Sequence, residues 1–177
     1  MVQLGFVKPS NDVIQGDSPK GSPFVEFLQI KTVANMYPGR LVERDTTDYQ
    51  CKVGTAAGKV MGWLGYAEAP SEFKPATRDT IYVVNDTAPV HSGAGFRVRG
   101  SLQSGQNVVK GEKLVAGAAG ELVAAAAITI TASGAANITT GQGVNGSYGA
   151  AGMYVAEADE SVDASAAAAA IWVKSYI

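Results

Sequence analysis

The chain is poor in the residues on which most active sites and covalent frameworks depend. It has one cysteine, Cys51, and one histidine, His91. A single cysteine excludes an intramolecular disulfide and any cysteine-built zinc cage, so stability must come from packing or assembly. Cys51 itself reads as a small buried hydrophobe. Charge is also sparse: 14 Lys and Arg against 16 Asp and Glu leave a net charge of -2. Nucleic-acid binding needs clustered cations to replace the counterions along the phosphates, and none are clustered here, so no nucleic acid is expected as partner. Proline is absent after Pro89, which leaves the turns of the second half to Gly and Asn, as at Asn145-Gly146, a two-residue hairpin signal. No apolar run reaches the roughly 18 to 20 residues that cross a bilayer as a helix, because Thr129, Thr131, Ser133 and Gly134 interrupt the Ala-rich tract after Leu122. No membrane partner is expected. The start, Met1 to Val13, lacks a basic leader followed by an apolar core and cleavage site, which predicts synthesis in a cytoplasm.

What is present is β-sheet punctuation. Between Gly100 and Ala127 the apolar pairs Val108-Val109, Leu114-Val115 and Leu122-Val123 alternate with Gly-bearing turns, the spelling of short strands in a barrel or sandwich. Further strands are predicted at Arg40-Glu43, Gln50-Val53, Lys59-Tyr66, Thr80-Val84 and Phe96-Leu102. A closing strand over Ile171-Ile177 would turn Ile171, Val173, Ser175 and Ile177 to one side and Trp172, Lys174 and Tyr176 to the other. The Ala-rich segment Ala164 to Ala170 is compatible with helix or loop. Residues 1–37 carry Pro9, Pro19 and Pro23 among turn-forming residues and read as an extended arm, within which Phe24 to Ile30 is an adhesive patch able to pair with a sheet edge or another chain. The fold expected is therefore all-β: a compact β-barrel or β-sandwich, β-tulip-like, over 38–177, with an N-terminal arm over 1–37 and a neutral Ala/Gly/Thr-rich insertion at about 124–152. No charged residue occurs from Leu122 to Ala156, which suits packed strands or a face against another subunit, where charge is depleted.

Each catalytic template fails for a chemical reason. Gly54 to Val60 has the flavour of a phosphate-binding loop, but it is one spacer short and Val60 stands where the metal-binding hydroxyl belongs. Gly16-Asp17-Ser18-Pro19 is similar to an esterase nucleophile block, yet His91 lacks the acidic residue expected three positions before it, and a serine without its base is a poor nucleophile. Glu157, Asp159, Glu160 and Asp163 are grouped without the spacing of a calcium loop. The reading is of a protein that is not an enzyme, with no catalytic residue, no cofactor and no metal.

Two resemblances bear on function. Ser104 to Leu114, with Val108, Val109, Gly111 and Leu114, is similar to the downstream half of biotinyl and lipoyl carrier domains, which display a modified lysine at a hairpin tip about thirty residues earlier. Here that region holds Lys74 followed by Pro75, with neither tip motif, so the likeness implies barrel geometry alone. The chain from Pro38 to Ile177 resembles the capsid decoration (cement) proteins of tailed viruses, through Pro38-Gly39-Arg40-Leu41-Val42, Gly62-Trp63-Leu64-Gly65-Tyr66, the turns from Gly105 to Gly120, Glu121-Leu122-Val123, and Ile171-Trp172-Val173-Lys174. That resemblance implies a virion protein on the outer capsid surface, made in the host cytoplasm, with the major capsid protein as partner and a homo-oligomer, a trimer favoured, as its form. Phe24, Phe27, Ile30, Met36 and Tyr37 are the expected capsid-docking arm. The alternative is a non-catalytic ligand- or carbohydrate-binding β module with its site on loops such as Asp79 to His91.

Overall fold

The computed structural model describes residues 14–15, 23–56, 58–68, 73–74, 79–125 and 154–177, and among them the one regular element that is not a strand is a 3-10 turn at Ala118–Gly120. After the two-residue strand β1 (Ile14–Gln15) come β2 (Phe24–Ile30), β3 (Leu41–Arg44), β4 (Gln50–Val53) and β5 (Val60–Leu64). A small hairpin of β6 (Ala67–Glu68) and β7 (Phe73–Lys74) precedes β8 (Thr87–Ser92). Strands β2-β4-β3-β5-β8 close into a barrel. The chain then forms β9 (Arg97–Leu102), β10 (Gln106–Val108), β11 (Lys113–Ala116), β12 (Leu122–Ala124), β13 (Ala156–Ala158), β14 (Val162–Ala164) and β15 (Ala169–Ser175). Here β9-β12-β11-β13-β15 form a second closed ring through the β9–β15 pairing, while β10 and β14 pair beside it.

The two barrels repeat one another strand for strand. In each, the first strand runs parallel to the third and antiparallel to the fifth, and the second lies between the third and fourth. The registers agree as well. Val42↔Val53, Glu43↔Lys52 and Arg44↔Cys51 match Leu114↔Ala124, Val115↔Val123 and Ala116↔Leu122. Val25↔His91 and Phe27↔Pro89 match Arg97↔Lys174 and Arg99↔Trp172. Backbone bonds outside the ladders coincide too: Gly39 N–H to Leu64 O and Leu64 N–H to Arg40 O have the counterparts Gly111 N–H to Ala158 O and Ala158 N–H to Glu112 O. Gly39 and Gly111 occupy the same left-handed turn position, with φ of 84° and 89°, where a side chain is strained and glycine is not. The chain is thus an internal structural repeat.

Each barrel has its own core, and one tryptophan ties them together. The first core is built on Leu28, Ile30, Val42, Leu64, Tyr82 and Val90; the second on Val98, Leu102, Leu114, Leu122, Ile171 and Val173. Leu41 and Trp63 are strand residues of the first barrel that belong to the second core. The Trp63 indole N–H donates to Ser175 Oγ at 3.0 Å, which satisfies the polar end of a fully buried ring. Gly100 makes room for it, since a Cβ there would stand 3.0 Å from the Trp63 ring. Gly120, at φ 70°, brings the second barrel's turn so close that a Cβ would lie 2.5 Å from the Leu41 carbonyl oxygen.

The all-β barrel reading holds, with three corrections. The single domain expected over 38–177 is two barrels. The stretch Phe24 to Tyr37 is no freestanding arm: β2 is a wall of the first barrel, because its alternation buries Leu28 and Ile30 while β8 pairs along its length. The strand expected at Thr80–Val84 is a loop, and the strand is Thr87–Ser92. There Asn85 at φ 72° turns the chain and Tyr82 alone dips inward, its hydroxyl donating to Gly65 O at 2.6 Å. Of the two readings of segment 164–170, the loop holds for 165–168, which connects the end of β14 at Ala164 to the start of β15 at Ala169. The closing strand alternates as expected, with Ile171, Val173 and Ser175 buried and Lys174 exposed. Most of the arm and of the 124–152 insertion lies outside the described residues.

Candidate docking surface

The five arm residues divide between surface and core. Phe24 and Phe27 are 70% and 62% exposed, whereas Ile30 and Met36 are fully buried in the first core. Ile30 and Met36 therefore hold the barrel together and are not available to a partner. Tyr37 is half-buried, with the Arg40 guanidinium stacked over its ring at 5.5 Å. Around the exposed phenylalanines, described residues pair with β2 on one side only: β8 pairs from Phe24 to Gln29, while β4 meets β2 only at Gln29 and Ile30. No described residue pairs with the other edge of Phe24 to Phe27. Glu26, in the middle of this edge, accepts hydrogen bonds from Arg44 Nη2 at 2.8 and 2.9 Å, so the edge carries a charge pair between two apolar rings.

A second apolar rim sits at the opposite end of β2. The Gln29 N–H donates to Tyr49 O, and Ile30 exchanges backbone hydrogen bonds with Asn85 and Asp86, so the turn bearing Tyr49 and the loop bearing Val83 and Val84 flank the same two residues. Tyr49 is 76% exposed at φ 61°. A bulky residue held in that region stores strain of order 1–3 kcal/mol.

At the junction of the barrels, a pocket of about 320 Å³ is lined by Asn35, Tyr37, Pro38, Arg40, Asp79 and Ser101. Arg40 is fixed there by hydrogen bonding to Ala119 O at 2.9 Å and pairing with Glu121 at 3.0 Å. Ser101 also donates to Glu121, at 3.5 Å. The pocket thus presents both charges and one aromatic ring.

The remaining sequence candidates are occupied structurally. The Glu43 carboxylate packs against Gly58 inside the loop that resembles a phosphate cradle, where it would repel an anion. Lys74 lies in β7 opposite Ala67, not at a hairpin tip. His91 is wedged against Gly65, its Nδ1 has no partner among the described residues, and burial pushes its pKa down to about 4. Burial foremost, with Asp45 and Glu26 nearby, pushes the Cys51 thiol up to about 12, which leaves it protonated and unreactive at neutral pH. The acidic group is dispersed into local bonds. Glu157 binds Lys113 and Tyr176, Asp159 pairs with Arg97 at 2.6 Å, Glu160 accepts from Trp172 N–H, and Asp163 accepts from Ser165 N–H. Hydrogen bonding to Lys113 first, then Tyr176, holds the Glu157 carboxyl below its ordinary pKa. The esterase-like block at 16–19 lies outside the described residues.

No family model and no curated protein matches the chain.

The repeat is the feature that sequence reasoning missed. Its written trace is thin: Phe24 and Phe96, Asn35 and Asn107, Gly39 and Gly111, Val90 and Val173, and Ser92 and Ser175 are identical pairs at equivalent positions. A comparison of the halves aligned on the two Gly-bearing turns before Leu41-Val42 and Leu114-Val115 would have come close to it.

Proposed function

We propose that this protein is a capsid decoration protein that binds the outer lattice of a viral head and acts by bracing it, without catalysis. The observation that carries this reading is the half-paired strand Phe24 to Phe27, which sets two exposed phenyl rings on a rigid barrel wall. An apolar sheet edge of this kind invites a partner. Its assembly as a homo-oligomer, a trimer favoured, belongs to the same proposal. The test is cosedimentation of the purified chain with undecorated heads. Saturable binding at fixed stoichiometry that is lost in Phe24→Ser/Phe27→Ser is the expected result; absence of binding by the native chain would reject the reading. Truncation must stop before Pro23, because removing residues 1–37 would take β2 and the core residues Leu28, Ile30 and Met36 with it.

The junction pocket favours a second reading, a module that binds a small polar ligand. Arg40 beside Asp79 and Glu121 disfavours strongly charged ligands of either sign and suits a neutral polyhydroxyl compound, whose hydroxyls both donate and accept. Titration with simple sugars, read by chemical-shift changes at Tyr37 and Ser101, tests it.

A further inference from the structure

The internal repeat shows what normally covers a barrel at the place where the first barrel is bare. Residues Phe24, Val25, Glu26 and Phe27 of β2 correspond to Phe96, Arg97, Val98 and Arg99 in the second barrel, because Phe24↔Ser92 and Val25↔His91 occupy the register positions of Phe96–Ser175 and Arg97↔Lys174. In the second barrel this edge is covered. Strand β1 pairs antiparallel with it, Ile14 opposite Val98 and Gln15 opposite Arg97. Phe96 is 1% exposed and lies in the same buried cluster as Leu41 and Trp63. In the first barrel, no described strand lies against Val25 and Glu26, and Phe24 is 70% exposed. Among the described residues, one barrel has both its added strand and its apolar cover, and the other has neither.

We infer that the Phe24–Phe27 edge is a strand-acceptor site, which takes an extended segment of the partner protein antiparallel to β2 in the register that Ile14–Gln15 uses on β9. The inference rests on the decoration reading, and the occupant is an extended apolar segment of the capsid lattice protein. Main-chain hydrogen bonds to the open edge supply affinity, and the Phe24 and Phe27 rings select apolar side chains on the incoming strand. A second copy of β2 is a poor occupant. Two such edges meeting antiparallel about Glu26 would bring the Glu26–Arg44 pairs together and set like charges opposite one another, a device that protects sheet edges from self-pairing.

Hydrogen–deuterium exchange of the full chain, alone and bound to undecorated heads, tests the inference. The expected result is that the edge-facing amides between Phe24 and Phe27 slow by about tenfold or more on binding, while the amides of Arg97 to Arg99 change little because β1 already covers them. Saturable binding without protection at 24–27 would overturn strand addition and leave the decoration reading standing. Failure of the native chain to bind heads would overturn both. Protection at 24–27 that grows with concentration in the absence of heads, together with self-association by light scattering, would assign the site to a second copy and overturn the lattice segment as occupant.

Discussion

The two barrels share one topology and differ in what they show to solvent. At the outward positions where the second barrel has Arg97, Arg99, Trp172 and Lys174, the first has Val25, Phe27, Pro89 and His91. The cationic set is tied down: Arg97 pairs with Asp159, and the guanidinium carbons of Arg97 and Arg99 lie 5.2 and 5.8 Å from the Trp172 ring. Of the other set, Val25 and Phe27 are exposed, while Pro89 is buried and His91 half-buried. A repeated fold can carry a charged outer face in one copy and an apolar edge in the other, because side-chain direction along a strand lets the outer face change without touching the core. The first barrel also plugs the second through Leu41 and Trp63, and no described element does the same for the first.

Trp63→Ala attacks that asymmetry most strongly. It removes the ring that serves the second core from a strand of the first and leaves Ser175 without the indole donor, at a cost of about 4 kcal/mol. Denaturant unfolding followed at Trp172 should then show the second barrel unfolding at lower denaturant than in the native chain and apart from the first; an unshifted single transition would show that Trp63 does not couple them.

The next effect is a pH dependence that His91 gives the first barrel. The unfolded chain protonates His91 near 6.5, and the folded barrel resists until about 4 because the ring is buried. Between those values the unfolded state binds the extra proton, so stability falls as pH falls, by roughly 3 kcal/mol across the window, and is insensitive to this group above it. Thermal melts from pH 7 to 4 should show the decline, and His91→Gln should flatten it.

Gly120→Ala combines a strained φ with a backbone clash at Leu41 O and should cost about 2 kcal/mol by denaturation midpoint. Smallest in stability is Phe24→Ser/Phe27→Ser, within about 0.5 kcal/mol for exposed side chains. The same pair should abolish binding to heads. An Arg99→Ser change on the equivalent strand should leave binding unaltered, which isolates the open edge from the barrel surface in general.

Much of the wall was legible in the chain. Gly-bearing turns between short apolar pairs marked β10 through β12, and the alternation of Ile171, Val173 and Ser175 marked β15, because strand patterning is local and has a period of two. β8 was not legible: Pro89 and His91 read as loop, and only barrel closure against β2 and β5 makes that segment a strand. The candidate docking surface was half legible. Phe24 and Ile30 look alike in an apolar run, and only the position at which β4 leaves β2 separates the exposed ring from the buried side chain.

By itself the sequence determined an all-β chain without a disulfide framework or a paired catalytic histidine, because composition and turn residues act locally. The tertiary structure decided that there are two barrels, that they repeat one another, and that one carries an edge no described residue covers. Those facts depend on which strands meet at long range, and long-range pairing is set by closure and shared burial, which leave few identical residues for a reader of the chain to find.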